Sequence, residues 1–124
     1  MCKSNLRARL KKAFRKMWKL GIFAAPNFSC CTTCANAELA EILADDPVIR
    51  GYAFWHVQDD MFIKENGSCC IGYGGTEGIK YKKKPPKIIT TDKEIAEEIY
   101  NFLLDEGFEV KWNHRTNRRL EVFE

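Results

Sequence analysis

Apolar residues recur along the start of the chain at the spacing of a helix. Leu6, Leu10, Ala13, Phe14, Met17 and Trp18 fall at i, i+4, i+7, i+8, i+11 and i+12, one continuous stripe, and predict an amphipathic helix over about 4–20. Gly21 and Pro26 end it, since glycine suits the position after a helix and proline cannot continue one. A second helix opens near Cys31 or Thr32, with Ser29 or Thr32 as its cap. It runs through Ala37, Leu39, Ala40, Ile42 and Leu43 to the stop at Asp45-Asp46-Pro47. The pattern then turns strand-like. Gly51 to Gln58 is dense in aromatic and β-branched side chains, with Tyr52, Phe54 and His56 on one face. Ser68 to Tyr73 follows an Asn66-Gly67 turn signal, and the two runs read as a hairpin.

Gly74 to Lys87 reads as a loop with a basic tip at Lys82, Lys83 and Lys84. Thr91 to Glu94 has the form of a capping box for a third helix, whose buried stripe is Ile95, Ile99, Phe102 and Leu103 and whose closure is Gly107. Phe108, Val110 and Trp112 alternate as a strand, residues 113–117 turn, and Leu120 and Val122 alternate as its partner. The order ααββαββ predicts the α+β class: a small antiparallel sheet of about four strands in two hairpins, with three helices gathered on one face.

Composition narrows this picture. The chain has 124 residues, 45% of them hydrophobic and 30% charged, which fits one globular domain over 1–124 with the basic N-terminal helix as part of it. A core of that size needs neither metal nor disulfides to fold. No apolar run reaches the ~20 residues of a membrane span, and no export signal precedes the first helix, so the expectation is a cytoplasmic protein with reduced thiols.

The formal charge of +3 hides an asymmetry. Residues 1–25 hold eight basic residues and no acid, while the remainder has 12 basic and 17 acidic residues, a net of −5. Such asymmetry raises the question of weak nucleic-acid binding through the basic helix and the Lys82–Lys84 loop. The acidic remainder argues against it. A stripe carrying Phe14, Met17 and Trp18 fits docking on a core better than waiting for a partner.

Six cysteines are many for a chain of this length: Cys2, the trio Cys30, Cys31 and Cys34, and the pair Cys69 and Cys70. Cys31-Thr-Thr-Cys34 is a C-x-x-C at a helix start, where the macrodipole and free N–H groups favour thiolate, hence metal ligation and nucleophilicity. Zinc needs four ligands in a tetrahedron, and the candidates are Cys30, Cys34, Cys69 or Cys70, and His56. The second half of a usual zinc motif is absent. Cysteine is among the most buried residue types, so inert, buried thiols that alkylate slowly are the expectation. His56-Val-Gln-Asp59-Asp60 is the other polar cluster, where Asp59 can orient the histidine as acid, base or ligand. The glycines from Gly72 to Gly78 match neither a P-loop nor a dinucleotide fingerprint.

Asn27-Phe-Ser-Cys-Cys-Thr-Thr-Cys34, then Gly51-Tyr-Ala-Phe-Trp-His56-Val-Gln58-Asp59, then Tyr73-Gly74 together resemble a family of uncharacterised bacterial domains. That family carries N-F-x-C-C-x-x-C, G-Y-x-F-x-H-x-Q-D and Y-G in this order. The resemblance runs from about Leu6 to the C-terminus and implies that the first helix belongs to the domain. It singles out Cys30, Cys31, Cys34, His56, Gln58, Asp59 and Tyr73 as site positions, and it brings no activity with it. Glycine usually follows the last cysteine of that pattern; Ala35 stands here.

The reading that follows is a non-catalytic binding or interaction module. Its pocket of Cys30, Cys31, Cys34, His56, Gln58, Asp59 and Tyr73 would take a small ligand or a protein partner, with no cofactor required. The alternatives are a zinc site on Cys30, Cys31, Cys34 and His56, or an enzyme with Cys31 or Cys34 as nucleophile, His56 as base and Asp59 orienting it.

Overall fold

The computed structural model describes residues 6–116 and 118–123, and of 64–66 the backbone alone. Among these residues the chain forms four α-helices and a five-stranded mixed sheet. Helix α1 (Leu6–Met17) ends in a 3-10 turn (Trp18–Leu20) and leads into β1 (Ile22–Ala25). There follow α2 (Thr32–Asp45), β2 (Gly51–Phe54), α3 (Val57–Asn66), β3 (Ser68–Gly74), α4 (Asp92–Asp105), β4 (Glu109–Lys111) and β5 (Leu120–Phe123). The strand order is β1-β2-β3-β5-β4, with β1 parallel to β2 and the other pairs antiparallel.

The α+β class holds, and so do the first two helices, the third expected helix (now α4) and the C-terminal hairpin. Glu94 N donates to Thr91 Oγ1 at 3.1 Å, the cap expected at the start of α4. Two elements are additional. Ile22–Ala25 reads as loop in the sequence because it is short and shows no alternation; three of its four residues are buried, as a strand covered on both faces requires. It makes β1–α2–β2 a parallel crossover unit in place of an all-antiparallel sheet.

The second addition is α3, which stands where the sequence suggests a hairpin. Its Val57, Met61 and Phe62 are exposed and Ile63 is buried, so no apolar stripe announces it. Its ends fix it. His56 caps the first turn, and Gly67, at φ 67°, closes the last in the left-handed conformation that glycine adopts without strain. The Asn-Gly signal therefore marks a helix end here. The first strand of the expected hairpin stops at Phe54, four residues before Gln58.

The sheet is covered on both faces, not one. On the first, Leu10, Phe14 and Met17 of α1 and Ile95, Ile99 and Leu103 of α4 pack on Trp55, Cys69, Ile71, Leu120 and Val122. Trp18, expected in this stripe, lies in the 3-10 turn and is 51% exposed; its indole N–H donates to Ala24 O at 3.2 Å. On the second face, Ala35 and Leu39 of α2 pack on Ala25 and Phe54, with Phe23, Phe28 and Tyr52 around them. Ala35, in the position that glycine takes in the related pattern, is thus a core residue of α2.

The register pairs Tyr52 with Gly74 and Phe54 with Gly72. A Cβ on Gly72 would collide with the Phe54 ring, and one on Gly74 with the Tyr52 ring. Bare glycines on β3 let the aromatic rings of β2 fold across the neighbouring strand. That explains the G-Y-x-F and G-Y-G pattern as one packing arrangement.

Candidate functional site

The structure divides the candidate residues into two groups with different environments. The first is a buried polar junction at the N-terminus of α3. His56 Nδ1 accepts from Asp59 N at 3.4 Å, and Asp59 Oδ2 accepts from His56 N at 3.2 Å, a reciprocal capping box. The same Asp59 oxygen lies 3.3 Å from His56 Nε2 and accepts from Arg119, the residue before β5, at 2.8 Å. Nδ1 is thus committed as an acceptor within the junction, and Nε2 lies against the Asp59 carboxylate. Next to it, Asp60 Oδ1 accepts from Arg7 Nε of α1 at 2.8 Å and from Trp55 Nε1 at 3.1 Å. His56, Asp59 and Asp60 are all buried. The junction ties α1, α3, β2 and β5 together at one point. Its cationic partners, Arg7 and Arg119, carry no sequence signal, since they lie 53 and 60 residues from the acids they meet.

Gln58 points to solvent one residue before this junction. Tyr73 lies on the other side of β3 from Gly72 and Gly74. Its hydroxyl donates to Arg118 O at 2.7 Å, which pins the turn between β4 and β5. Burial raises its phenol above the ordinary value.

The second group is the thiol cluster. Cys31 is the N-cap of α2, and Cys30, Cys31 and Cys34 bring their sulfurs within 4.8 Å of one another, with Cys30 and Cys31 3.9 Å apart. Cys30 and Cys34 are exposed and Cys31 is half-buried, so the expectation of inert, buried thiols does not hold for this trio. The physical reason is that the core contacts of α2 begin only at Ala35, one residue beyond the trio.

The Cys31 thiol lies below its ordinary value, first because the Cys34 backbone N–H favours the thiolate, although it makes no full capping bond, and then because the Cys34 and Cys30 thiols do the same. The Cys34 thiol is pushed up to about 12 by the Cys30 and Cys31 sulfurs.

His56 and Cys69 are not in this cluster. Cys69 lies in the first-face core, where burial pushes its thiol up, and Cys70, on the opposite side of β3, is half-buried. Adjacent strand residues point to opposite faces, and neither reaches the start of α2 with its sulfur. Cys2 lies outside the described residues. The sequence therefore signalled the trio correctly and did not show that the histidine is spent elsewhere.

Beside the trio a cavity of about 170 Å³ opens between α2 and the second face of the sheet, lined by Thr32, Asn36, Phe54, Gly72, Arg118 and Arg119, among others. Thr32 adjoins Cys31 in the chain. Arg118 makes no ion pair among the described residues. Sequence reasoning missed this cavity because its walls come from five separate segments of the chain.

The chain belongs to the family described as Domain of unknown function (DUF6891), which matches residues 6–124 and therefore includes α1. No curated protein and no solved structure matches the chain. Among the described residues no helix is long and apolar enough to cross a membrane.

Proposed function

We propose that this member of the family is a metal-binding module whose centre is the Cys30, Cys31 and Cys34 cluster, suited to a soft divalent ion of the zinc class. The observation that carries this is the spacing of the sulfurs. An ion bound by thiolates at about 2.3 Å in a tetrahedron holds them roughly 3.8 Å apart. The Cys30 and Cys31 sulfurs are already at 3.9 Å, and all three lie within 4.8 Å. Small side-chain rotations close the set around an ion. Because Cys30 and Cys34 are exposed, a fourth ligand would come from solvent, a small molecule or a donor of a partner, which fits the binding role expected from the sequence. Free thiols at the surface suit a reducing compartment such as the cytoplasm.

His56, Asp59 and Tyr73 support this module by holding its fold, and Gln58 is free to meet a partner at the surface. The rival reading, an enzyme with His56 as general base, lacks support because the imidazole is buried, accepts through Nδ1 from Asp59 N and stands outside the thiol cluster. Nucleic-acid binding through α1 loses support too. Arg7 is spent on Asp60, Lys16 pairs with Glu106 at 2.8 Å, and Arg9 stacks on Phe108 with 4.5 Å to the ring centroid.

The test is a titration of reduced, metal-free protein with cobalt(II) and zinc(II), read by sulfur-to-cobalt charge-transfer absorption and by elemental analysis. One equivalent should bind. Serine in place of Cys30, Cys31 or Cys34 should weaken binding, and Cys70→Ser should not. Stoichiometric binding that survives the triple serine variant would overturn the proposal.

A further inference from the structure

A C-x-x-C at the first turn of the helix in a parallel β–α–β unit exposes one sulfur at the helix start and holds a second within reach behind it. Cys31 and Cys34 occupy these two positions on β1–α2–β2, as N-cap and third residue of α2, with their sulfurs within 4.8 Å; here the helix-start thiol is half-buried and Cys34 is exposed, so both are within reach of a small molecule. Adjacent cysteines such as Cys30 and Cys31 make a poor disulfide, because the geometry of the bond strains the peptide between them. Cys34, in contrast, can reach the standard bond length from Cys31 by side-chain rotation. The groove beginning at Thr32 is also lined by Arg118, which makes no ion pair among the described residues, by Arg119, which is held by Asp59, and by Asp92, whose carboxylate accepts from Gly75 N. A guanidinium there suits a carboxylate.

We propose that, when free of metal, the Cys31–Cys34 pair exchanges with small disulfides bearing carboxylates, whose acidic arm lies in the groove against Arg118. Cys31 attacks as thiolate and forms a bond to one substrate sulfur. The substrate S–S bond breaks, and its other half leaves as a thiolate that takes a proton from solvent. Cys34 then gives its proton to solvent and attacks the Cys31 sulfur, which releases the second half. The substrate disulfide is reduced by two electrons, and the protein dithiol is oxidised to the Cys31–Cys34 disulfide. A dithiol reductant restores the starting state. This activity uses metal-free thiols and stands apart from the metal-binding reading.

The experiment mixes reduced full-length protein, held in a chelator, with glutathione disulfide as the anionic probe and cystamine disulfide as the cationic control. Intact mass and peptide mapping give the products. Wild type should release both halves of the glutathione disulfide and end with Cys31 joined to Cys34. Cys34→Ser should stop at the mixed disulfide on Cys31, and Cys31→Ser should fall to the rate of the buffer. Arg118→Ala should slow the reaction of glutathione disulfide without slowing that of cystamine. These positions are exposed or half-buried, and circular dichroism confirms that each variant is folded. Failure of Cys34→Ser to trap an adduct, or trapping on Cys30, would overturn the assignment of the pair. Equal slowing of both probes by Arg118→Ala would overturn the acidic-arm specificity. The cobalt and zinc titration runs without any oxidant, so loss of exchange and loss of metal binding are read separately.

Discussion

Arg119, the residue before β5, donates to Asp59 on α3 at 2.8 Å across 60 residues of sequence, and that same carboxylate oxygen caps the helix through the His56 backbone N–H. One buried acid therefore fixes both the start of α3 and its position on the sheet. Asp59→Ala leaves Arg119 without its partner and the helix without its box, and should destabilise the protein by about 2–4 kcal/mol; Arg119 keeps some solvent access, which limits the loss. The neighbouring Gln58→Ala should cost less than about 0.5 kcal/mol. Urea unfolding of the two variants gives the comparison, and equal midpoints would refute a structural role for Asp59.

Phe14 is 1% exposed and its ring lies 4.8 Å from that of Trp55, centroid to centroid. Phe14→Ala should cost about 3–5 kcal/mol, the range for deleting a buried phenylalanine. Trp18→Ala should cost much less, because half of that side chain is in solvent. Thermal unfolding of both variants tests whether α1 docks through its middle and not its end.

Gly72→Ala sets a methyl group against the Phe54 ring and should destabilise by about 1–3 kcal/mol through overpacking. Trimming the ring makes room, so Gly72→Ala combined with Phe54→Leu should cost less than the sum of the two changes. A double-mutant cycle in denaturant measures the coupling, and strict additivity would contradict the ring-over-glycine packing.

The Tyr52 phenol is pushed up to about 12, first by burial and then by the charge of Asp92. The folded state thus holds this proton more tightly than the unfolded chain, whose phenol titrates near 10. The stability it contributes is whole below pH 10 and drains away as pH rises from 10 toward 12. Tyr52→Phe should flatten the fall of stability over that window, with a residual slope from Tyr73, which burial raises in the same sense. An unchanged slope in Tyr52→Phe would show that the phenol gains no such environment.

Metal removal should leave the fold intact. Cys30, Cys31 and Cys34 lie outside both hydrophobic clusters, so the core does not depend on an ion as a zinc finger's does. After chelation the far-UV circular dichroism should match that of the metal-loaded protein. Loss of helical signal with the ion would make the centre structural.

The elements with a periodic apolar face or a strong cap were legible in the sequence: α1 from Leu10 and Phe14, α4 from Thr91 and the Ile95–Leu103 stripe, and the β4–β5 hairpin from its alternation. The start of α2 was legible too, and with it the proximity of Cys31 and Cys34, because residues three apart on a first turn share a side; that the Cys30 sulfur joins them was not. What stayed hidden was non-periodic. Strand β1 is too short and too evenly buried to alternate, and α3 exposes its apolar side chains, so its identity rests on the His56 cap and Gly67.

The sequence by itself determined the α+β class, the docking of the first helix and the thiol trio, since each follows from local spacing on one element. Only the tertiary structure decided where His56 and Asp59 are used. Their partners, Arg119 and the backbone of α3, come together once β5 is paired beside β3, a contact that no local pattern encodes. The same folding step separates the imidazole from the sulfurs. His56 and Asp59 of the sequence motif thus become a buried support for the fold, apart from the three cysteines at the start of α2.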